Sequence, residues 1–402
     1  MDLKSNEPFW LIKNGNIRSY PSLRKNATTE ILVVGGGITG SLIAHQCMED
    51  GYKTMLVDRR EIANGSTAAT TSMLQYEIDV PLHILIKKIG ETAATGSYLA
   101  CHKAIDDIGK LAKKIRSDCG FTKKKSLYFA ACKKDTAGLM QEFESRKHVG
   151  LKVRWLNTTQ LEKQFKLCHA YGGILSAQGA SMDAFRFTHD LLAYNHKRGL
   201  MIYDKTAVET PPVYHRNHLL FKTEHGSAIK AKKVIYCTGY ESVNLVPEKF
   251  VKLLSTYAVV GEELKKKPAH LSDTLFWNTA RPYLYFRTTR DNRILIGGED
   301  ENFVSAPKRD ALLTRKSKKL EKDIQRLLPQ QEFLPDFSWT GTFGETKDGL
   351  PYIGSHPDMP HSYFVLGFGG NGITFSVTGM EMIAYMLREK QHPLEPYFRF
   401  GR

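Results

Sequence analysis

The chain has 402 residues, 42% of them hydrophobic and 25% charged, a composition that suits a globular protein of two domains with room to bury a large ligand and excludes a disordered or fibrous chain. A formal net charge of +15 would draw acidic ligands, nucleic acid or a membrane surface by long-range attraction. The basic stretches Lys123–Lys125, Lys265–Lys267 and Arg315–Lys322 nevertheless stand beside helix-like or turn-like sequence, where charge runs are solvated faces, so a nucleic-acid partner is not expected. The six cysteines, Cys47, Cys101, Cys119, Cys132, Cys168 and Cys237, form neither a C-x-x-C pair nor a cluster with histidine at metal-ligand spacing, so no metal is expected. No signal peptide and no apolar run of membrane-span length is visible. The expectation is a cytoplasmic protein with free thiols.

In chain order, residues 1–27 read as a polar extension, with Phe9, Trp10 and Leu11 as a clamp onto the body. The run Ile31–Val34 then leads into Gly35, Gly37 and Gly40 in G-x-G-x-x-G spacing, and a second apolar run ends at Asp58, about eighteen residues past the last glycine. Strand, tight turn, helix, strand and acid make this a dinucleotide site rather than a bare glycine-rich turn. Gly35 permits the turn, Gly37 lets a pyrophosphate approach the backbone and Gly40 allows the helix to pack closely on the sheet. Ile38 and Thr39 open the helix whose N-terminus faces the diphosphate, and Asp58, followed by Arg59 and Arg60, can accept hydrogen bonds from a ribose.

After Asp58 comes a small-residue loop containing Ser66, Thr67, Thr70 and Thr71, then a helical stretch from about Pro81 to Arg116. Strands are expected at Ser126–Ala131 and Val153–Leu156 around a helix at Gly138–Lys147, and a helix from Phe185 to Arg198. The next strand carries Val208, where the chain can return to the nucleotide. A meander ends in VIYCTGY, with Cys237, Thr238 and Gly239. From about Val246 to Phe333 aromatic, alternating strands suggest an antiparallel sheet, with a basic helix from Ala311 to Leu328. The chain closes with Asp348-Gly349-Leu350-Pro351, the turn Gly367-Phe368-Gly369-Gly370-Asn371-Gly372-Ile373-Thr374 and a helix to about Arg388.

The small-residue loop, the strand ending in Thr-Gly and the two late glycine-rich motifs favour FAD over NAD. Their order from about residue 28 to the C-terminus resembles the glycine oxidase/D-amino acid oxidase (DAO) superfamily of FAD-dependent oxidoreductases. The loop IANGSTAATTSMLQ looks most like that of bacterial members with an additional C-terminal Rieske domain. This chain stops at Arg402 without paired Cys/His ligands, so Rieske electron transfer is not expected.

The resemblance implies an α/β fold in which a Rossmann-like FAD-binding domain (28–116, 170–245 and 336–402) is interleaved with an antiparallel-sheet, α+β substrate domain (117–169 and 246–335). The stretch Trp339–Glu345, with Gly344 among its cofactor-binding residues, has no cysteine, and Ala69–Ser72 has no histidine, so noncovalent FAD is expected. Backbone N–H groups at Asn371–Thr374, with Gly367, Gly370, Gly372 and Ile373 in the same turn, would stabilise negative charge on the reduced flavin.

Arg287 matches the position where glycine-oxidase-like members place an arginine for the substrate carboxylate, suited to a forked pair of hydrogen bonds. The residue also reads as a strand-face arginine paired at the surface. Arg281 and Arg290 are weaker candidates. Tyr257, Trp277, Tyr283 and Tyr285 read either as an aromatic wall of the substrate site or as core packing. The position of the lysine that favours oxygen in sarcosine-oxidase-like members corresponds to Leu295, which leaves the electron acceptor open. The resulting expectation is hydride transfer from the C–N bond of an amino acid or related amine to flavin N5. Oxidation of a C–O bond and a non-catalytic, basic flavin-binding or nucleic-acid-interaction protein are the alternatives.

Overall fold

The computed structural model describes residues 1–402 except Asn6, Pro247, Lys267 and Phe368; Lys267 of one basic run and Phe368 of the last glycine-rich turn therefore lie outside the described residues. Two sheets organise the molecule. The first has eight strands, ordered Tyr352–His356, Met359–Leu366, Ala228–Tyr236, Ala27–Val34, Thr54–Val57 and Met201–Tyr203, with the hairpin Val213–His215/His218–Lys222 joined to Ala228–Tyr236. Its centre is parallel: Val33 pairs with Leu56 on one side and Ile235 on the other. Ile31 and Val33 belong to one hydrophobic cluster and Leu32 to another, so both faces of this strand are covered. That double burial is why it reads as an unbroken apolar run. Helix Ile38–Glu49 packs against helices Ala184–His196 and Gly372–Leu387, which brings both ends of the chain's cofactor motifs to one layer.

The second sheet has nine strands, ordered Pro335–Glu345, Lys252–Gly261, Ile294–Glu301, Tyr285–Thr288, Thr274–Asn278, Thr122–Phe129, Gly173–Ser181 and Met73–Leu74, with Val153–Leu156 beside Gly173–Ser181. It is antiparallel except where Thr274–Asn278 runs parallel to Thr122–Phe129. Helix Leu313–Leu327 covers it, burying Leu313, Leu320, Ile324 and Leu327 and leaving Lys318, Lys319 and Lys322 exposed. The basic run there is thus mostly the wet face of an amphipathic helix, except Lys316, which is buried and paired with Glu299 and Glu301.

Several expected boundaries are corrected. Gly173–Ser181 and Pro335–Glu345, placed in the nucleotide domain by residue number, pair within the second sheet. The stretch 81–116 is two helices, Leu82–Ile89 and Glu91–Lys114, separated at Gly90 with φ +86°. The basic helix begins earlier, as Ala306–Ala311 followed by Leu313–Leu327. The N-terminal segment is integral: Phe9 and Trp10 are buried, Leu11 is half-buried, Lys4 bridges to Gly341 and Thr342 N–H donates to Leu3 O at 2.9 Å. Among the described residues no helix is long and apolar enough to cross a membrane.

Candidate functional site

A cavity of about 440 Å³ lies between the two sheets and runs from the first βαβ unit to the glycine-rich turn before the last helix. Its first end is made of backbone. Gly35 has φ +109°, and a Cβ there would stand 2.5 Å from Cys237 O. A Cβ on Gly40 would overlap the carbonyl of Gly35, so helix and strand can approach only because that residue is glycine. A Cβ on Gly37 would meet Thr67 Oγ1 at 2.9 Å, the atom that accepts a 3.0 Å bond from Ile38 N–H. Gly37, Ile38 and Thr39 line the cavity at the helix N-terminus, where the first-turn amides other than Ile38 N–H and the helix dipole favour a phosphate.

Asp58 sits at the end of strand Thr54–Val57. Its Oδ2 accepts from Gly36 N–H at 2.6 Å and its Oδ1 from Arg60 N–H at 2.8 Å. Burial pushes this carboxyl up to about 6, against the pull of those two bonds. Arg60 meets Glu241 through Nη1 at 3.1 Å and Nη2 at 2.8 Å, and Arg59 also bonds to Glu241. Ser66, Thr67, Thr70, Thr71, Val208, Cys237, Thr238 and Gly239 complete this end. The residues suit an adenine dinucleotide: small side chains where the diphosphate must touch backbone, and an acid for the ribose.

Three successive carbonyls in the loop after Asp58 are held by three side chains from elsewhere. Trp339 Nε1 donates to Ala69 O at 2.8 Å, Trp10 Nε1 to Thr70 O at 2.6 Å and Arg287 Nε to Thr71 O at 2.8 Å. This corrects the expectation for Arg287. Its Nη1 donates to Thr288 O at 3.1 Å, its guanidinium carbon lies 5.6 Å from the Trp10 ring centroid, and it does not line the cavity. Only 2% of it is exposed, and burial pushes its guanidinium down to about 10. Arg287 braces the loop from behind instead of facing a substrate. Arg281 and Arg290 are exposed and also lie outside this cavity.

Tyr257 is likewise corrected: it is wholly buried in the core under the second sheet, its hydroxyl near Arg309 O at 3.4 Å. Trp277 stacks on Tyr128 with centroids 3.7 Å apart and is not in the cavity wall. Leu295 is core. Gly40, Gly344, Asn371 and Thr374 support the wall without lining it. Gly344 leaves room for the Tyr240 ring, 2.8 Å from where a Cβ would stand, and Asn371 Nδ2 donates to Gln75 O at 3.0 Å while Thr374 Oγ1 donates to Asn371 O at 3.0 Å.

Tyr285 does line the second end, with Tyr283, Tyr240, Thr256, Phe343 and Gln75, opposite Gly367, Gly369, Gly370, Gly372 and Ile373. The Tyr285 ring lies over Gly297, where a Cβ would clash with it; this is why the strand reads Ile-Leu-Ile-Gly-Gly. Thr256 is in hydrogen-bonding contact with both Tyr285 and Asp300. Asp79 Oδ2 accepts from Gly370 N–H at 2.8 Å and Asp79 also bonds Tyr283. Tyr240, Phe343, Gln75 and Asp79 escaped the sequence reading. Tyr240, Phe343 and Gln75 lie inside motifs already quoted, VIYCTGY, Trp339–Glu345 and IANGSTAATTSMLQ, but nothing in the spacing of Asp79 marks it.

The family model described as FAD dependent oxidoreductase, DAO, matches residues 30–386. The chain is 25% identical over 379 residues to a glycine oxidase of Geobacillus kaustophilus, covering 90% of this chain and 93% of the relative. It is 22% identical over 385 residues to the gamma-glutamylputrescine oxidoreductase of Escherichia coli, covering 92% and 86%. A Bacillus subtilis protein named for a Rieske 2Fe-2S centre is 21% identical over 403 residues, covering 98% of this chain and 75% of that protein. Among solved structures, the Geobacillus kaustophilus glycine oxidase superposes with a TM-score of 0.76 at 20% identity, over 93% of this chain and 99% of the other. The L-proline dehydrogenase of P. horikoshii also gives 0.76, at 17% identity, over 93% and 97%. Dinucleotide cradle, interleaved sheets and a match along nearly the whole chain converge: the chain belongs to the DAO family of FAD-dependent oxidoreductases.

Proposed function

We propose that this FAD-dependent enzyme oxidises the C–N bond of an amino acid or related amine and that it holds FAD without a covalent bond. The observation that carries the reading is the character of the cavity's second end. Its wall is tyrosine, threonine, phenylalanine and glutamine, and the charged residues among the described lining residues, Asp58, Arg59, Arg60 and Glu241, all belong to the nucleotide end. A phosphate-bearing substrate of the glycerophosphate type would need a cation that this end lacks, although an L-α-glycerophosphate oxidase of Mycoplasma pneumoniae shares the fold with a TM-score of 0.74.

When bound, FAD would supply the acceptor for the hydride, which carries both electrons. The helix N-terminus at Gly37–Thr39 would hold its diphosphate, Asp58 its ribose, and the backbone of Gly370–Ile373 its polar edge. What the protein contributes beyond that is position. Tyr283 and Tyr285 orient the substrate against the glycine-rich turn, and the cavity walls keep bulk water from the reacting carbon. No cysteine other than Cys237, buried behind the Gly35 turn, and no histidine belongs to the described lining, which supports noncovalent attachment. The six cysteines are all free, which fits the reducing cytoplasm.

The reading is tested by anaerobic bleaching of the bound flavin with D- and L-amino acids, N-methyl amino acids, simple amines and hydroxy acids. Reduction by compounds with an oxidisable C–N bond supports it. Reduction by hydroxy acids or glycerophosphate alone overturns it.

A further inference from the structure

Directly behind the tyrosines of the cavity's second end stand two half-buried acids, while the nearest buried cations, Arg287 and Lys316, are turned onto Thr71 and Glu299. Asp79 lies behind the glycine-rich turn and bonds Gly370 N–H. Asp300 follows the Gly297–Gly298 pair, and its Oδ1 is buried with no hydrogen-bond partner. Each feels the other or Glu345 as a repelling charge, and Glu299, itself paired with Lys316 and Lys319, adds least to the field at Asp300. Burial and these neighbours push the Asp79 carboxyl up to about 6 and that of Asp300 up to about 7. The arginine nearest in sequence to the tyrosines, Arg287, gives Nε and Nη1 to the carbonyls of Thr71 and Thr288, and its Nη2, buried without a partner, does not line the cavity. In front of the acids stand Tyr283 and Tyr285, with ring centroids 5.6 Å apart and planes inclined at 45°, both facing the cavity. Aromatic faces backed by carboxylates attract a cation and repel an anion. A carboxylate brought here would find acids behind the rings and, among the described lining residues of this end, no guanidinium to pair with.

We infer that, granted C–N oxidation at this site, the substrate is a cationic amine that needs no carboxylate, its ammonium seated against Tyr283 and Tyr285 and balanced by Asp79 and Asp300. Neither acid lines the cavity, so both act on that charge from behind the rings. The amine then loses a proton before its C–H bond is broken, because only the neutral amine has a lone pair to drive hydride loss. Asp300, in contact with Thr256 and through it with Tyr285, stands where that proton can be taken up. The substrate carbon is oxidised by two electrons, FAD is reduced by two, and water converts the imine to carbonyl and amine.

The test uses the holoenzyme and two readouts. Tetramethylammonium, which cannot be oxidised through a nitrogen lone pair, is titrated against acetate while the visible flavin spectrum and the thermal midpoint are followed. The cation should perturb both and acetate neither. Asp300→Asn, with flavin content unchanged, should weaken the cation response by tenfold or more; Asp79→Asn serves as a second variant if it retains flavin. In anaerobic bleaching, benzylamine and 1,4-diaminobutane should reduce the flavin at lower concentration than glycine, sarcosine or D-alanine. Bleaching by amino acids with both amines inert overturns this inference and leaves C–N oxidation standing. Bleaching by hydroxy acids alone overturns both. If none of these compounds bleaches the flavin, the absence of any tetramethylammonium response, or an equal response in Asp300→Asn, overturns it.

Discussion

The nucleotide end of the cavity is walled chiefly by backbone of the first βαβ unit and the loop after it, completed by Val208 and the Cys237–Gly239 turn, with Gly35, Gly37 and Gly40 setting how closely things approach. The other end is walled by side chains from separate places: Gln75 from the loop after strand Met73–Leu74, Tyr240 from the segment after Ala228–Tyr236, and Thr256, Tyr283, Tyr285 and Phe343 from the second sheet and its connections. Backbone recognition tolerates almost no change in volume but is indifferent to side-chain chemistry. Side-chain recognition tolerates volume changes and depends on charge and on which way each strand faces. Substitutions at the two ends should therefore fail in different ways.

The largest effect is expected at Gly37. Gly37→Val places atoms against Thr67 Oγ1 and in the path of the diphosphate, so purified protein should carry less than about a tenth of the wild-type flavin, while its far-UV circular dichroism is preserved. Near-normal flavin content, read from the ratio of visible to ultraviolet absorbance, would break the contrast between the two ends.

Arg287→Ala should come next, and through stability instead of substrate affinity. It strips Thr71 O and Thr288 O of their donor and opens space beside Trp10. A cost of about 2–4 kcal/mol in unfolding free energy is expected from a buried carbonyl left unpaired and lost packing. The substrate concentration for half-maximal flavin reduction should stay within about twofold of wild type in whatever fraction retains flavin. A large rise in that concentration without a fall in thermal midpoint would return Arg287 to the substrate site.

Asp58 sharpens the comparison through pH. Its carboxyl is raised by burial to about 6, so in the apo-protein its contribution to stability falls as pH rises from the ordinary carboxylate range, near 3.9, to about 6. Flavin affinity should change in the opposite direction. The ionised carboxylate is the better acceptor for Gly36 N–H, Arg60 N–H and a ribose hydroxyl, so the FAD dissociation constant should rise as pH falls below about 6, by up to about tenfold per unit. Asp58→Asn should bind about tenfold more weakly at pH 7.5 and lose the pH dependence; FAD titrations between pH 5 and 8 by fluorescence quenching decide it.

Lys318→Gln and Lys322→Gln on the exposed face of helix Leu313–Leu327 should do least. Each is expected to change stability by less than about 0.5 kcal/mol and to leave flavin content unaltered. A loss of flavin in either would mean that the basic surface acts on the site after all.

The sequence by itself determined the cofactor and the architecture. Glycine spacing, a buried strand and an acid at the end of the next strand are local patterns, and close approach of backbone to a diphosphate admits few other residues. The closing glycine-rich turn was legible for the same reason. Arg287 and Tyr257 were not, because a strand's register and the packing on each face decide where a side chain points. The tertiary structure alone turned Arg287 onto the carbonyl of Thr71 beneath Trp10, a residue from the far end of the chain, and sank Tyr257 into the core beneath helix Leu313–Leu327. It alone gathered Asp79, Tyr240, Tyr285 and Asp300 around one cavity. Such a cluster is a sum of long-range contacts with no spacing in the sequence to announce it, and its electric field, unlike the shape of a glycine turn, exists only once distant carboxylates are brought together behind the same wall.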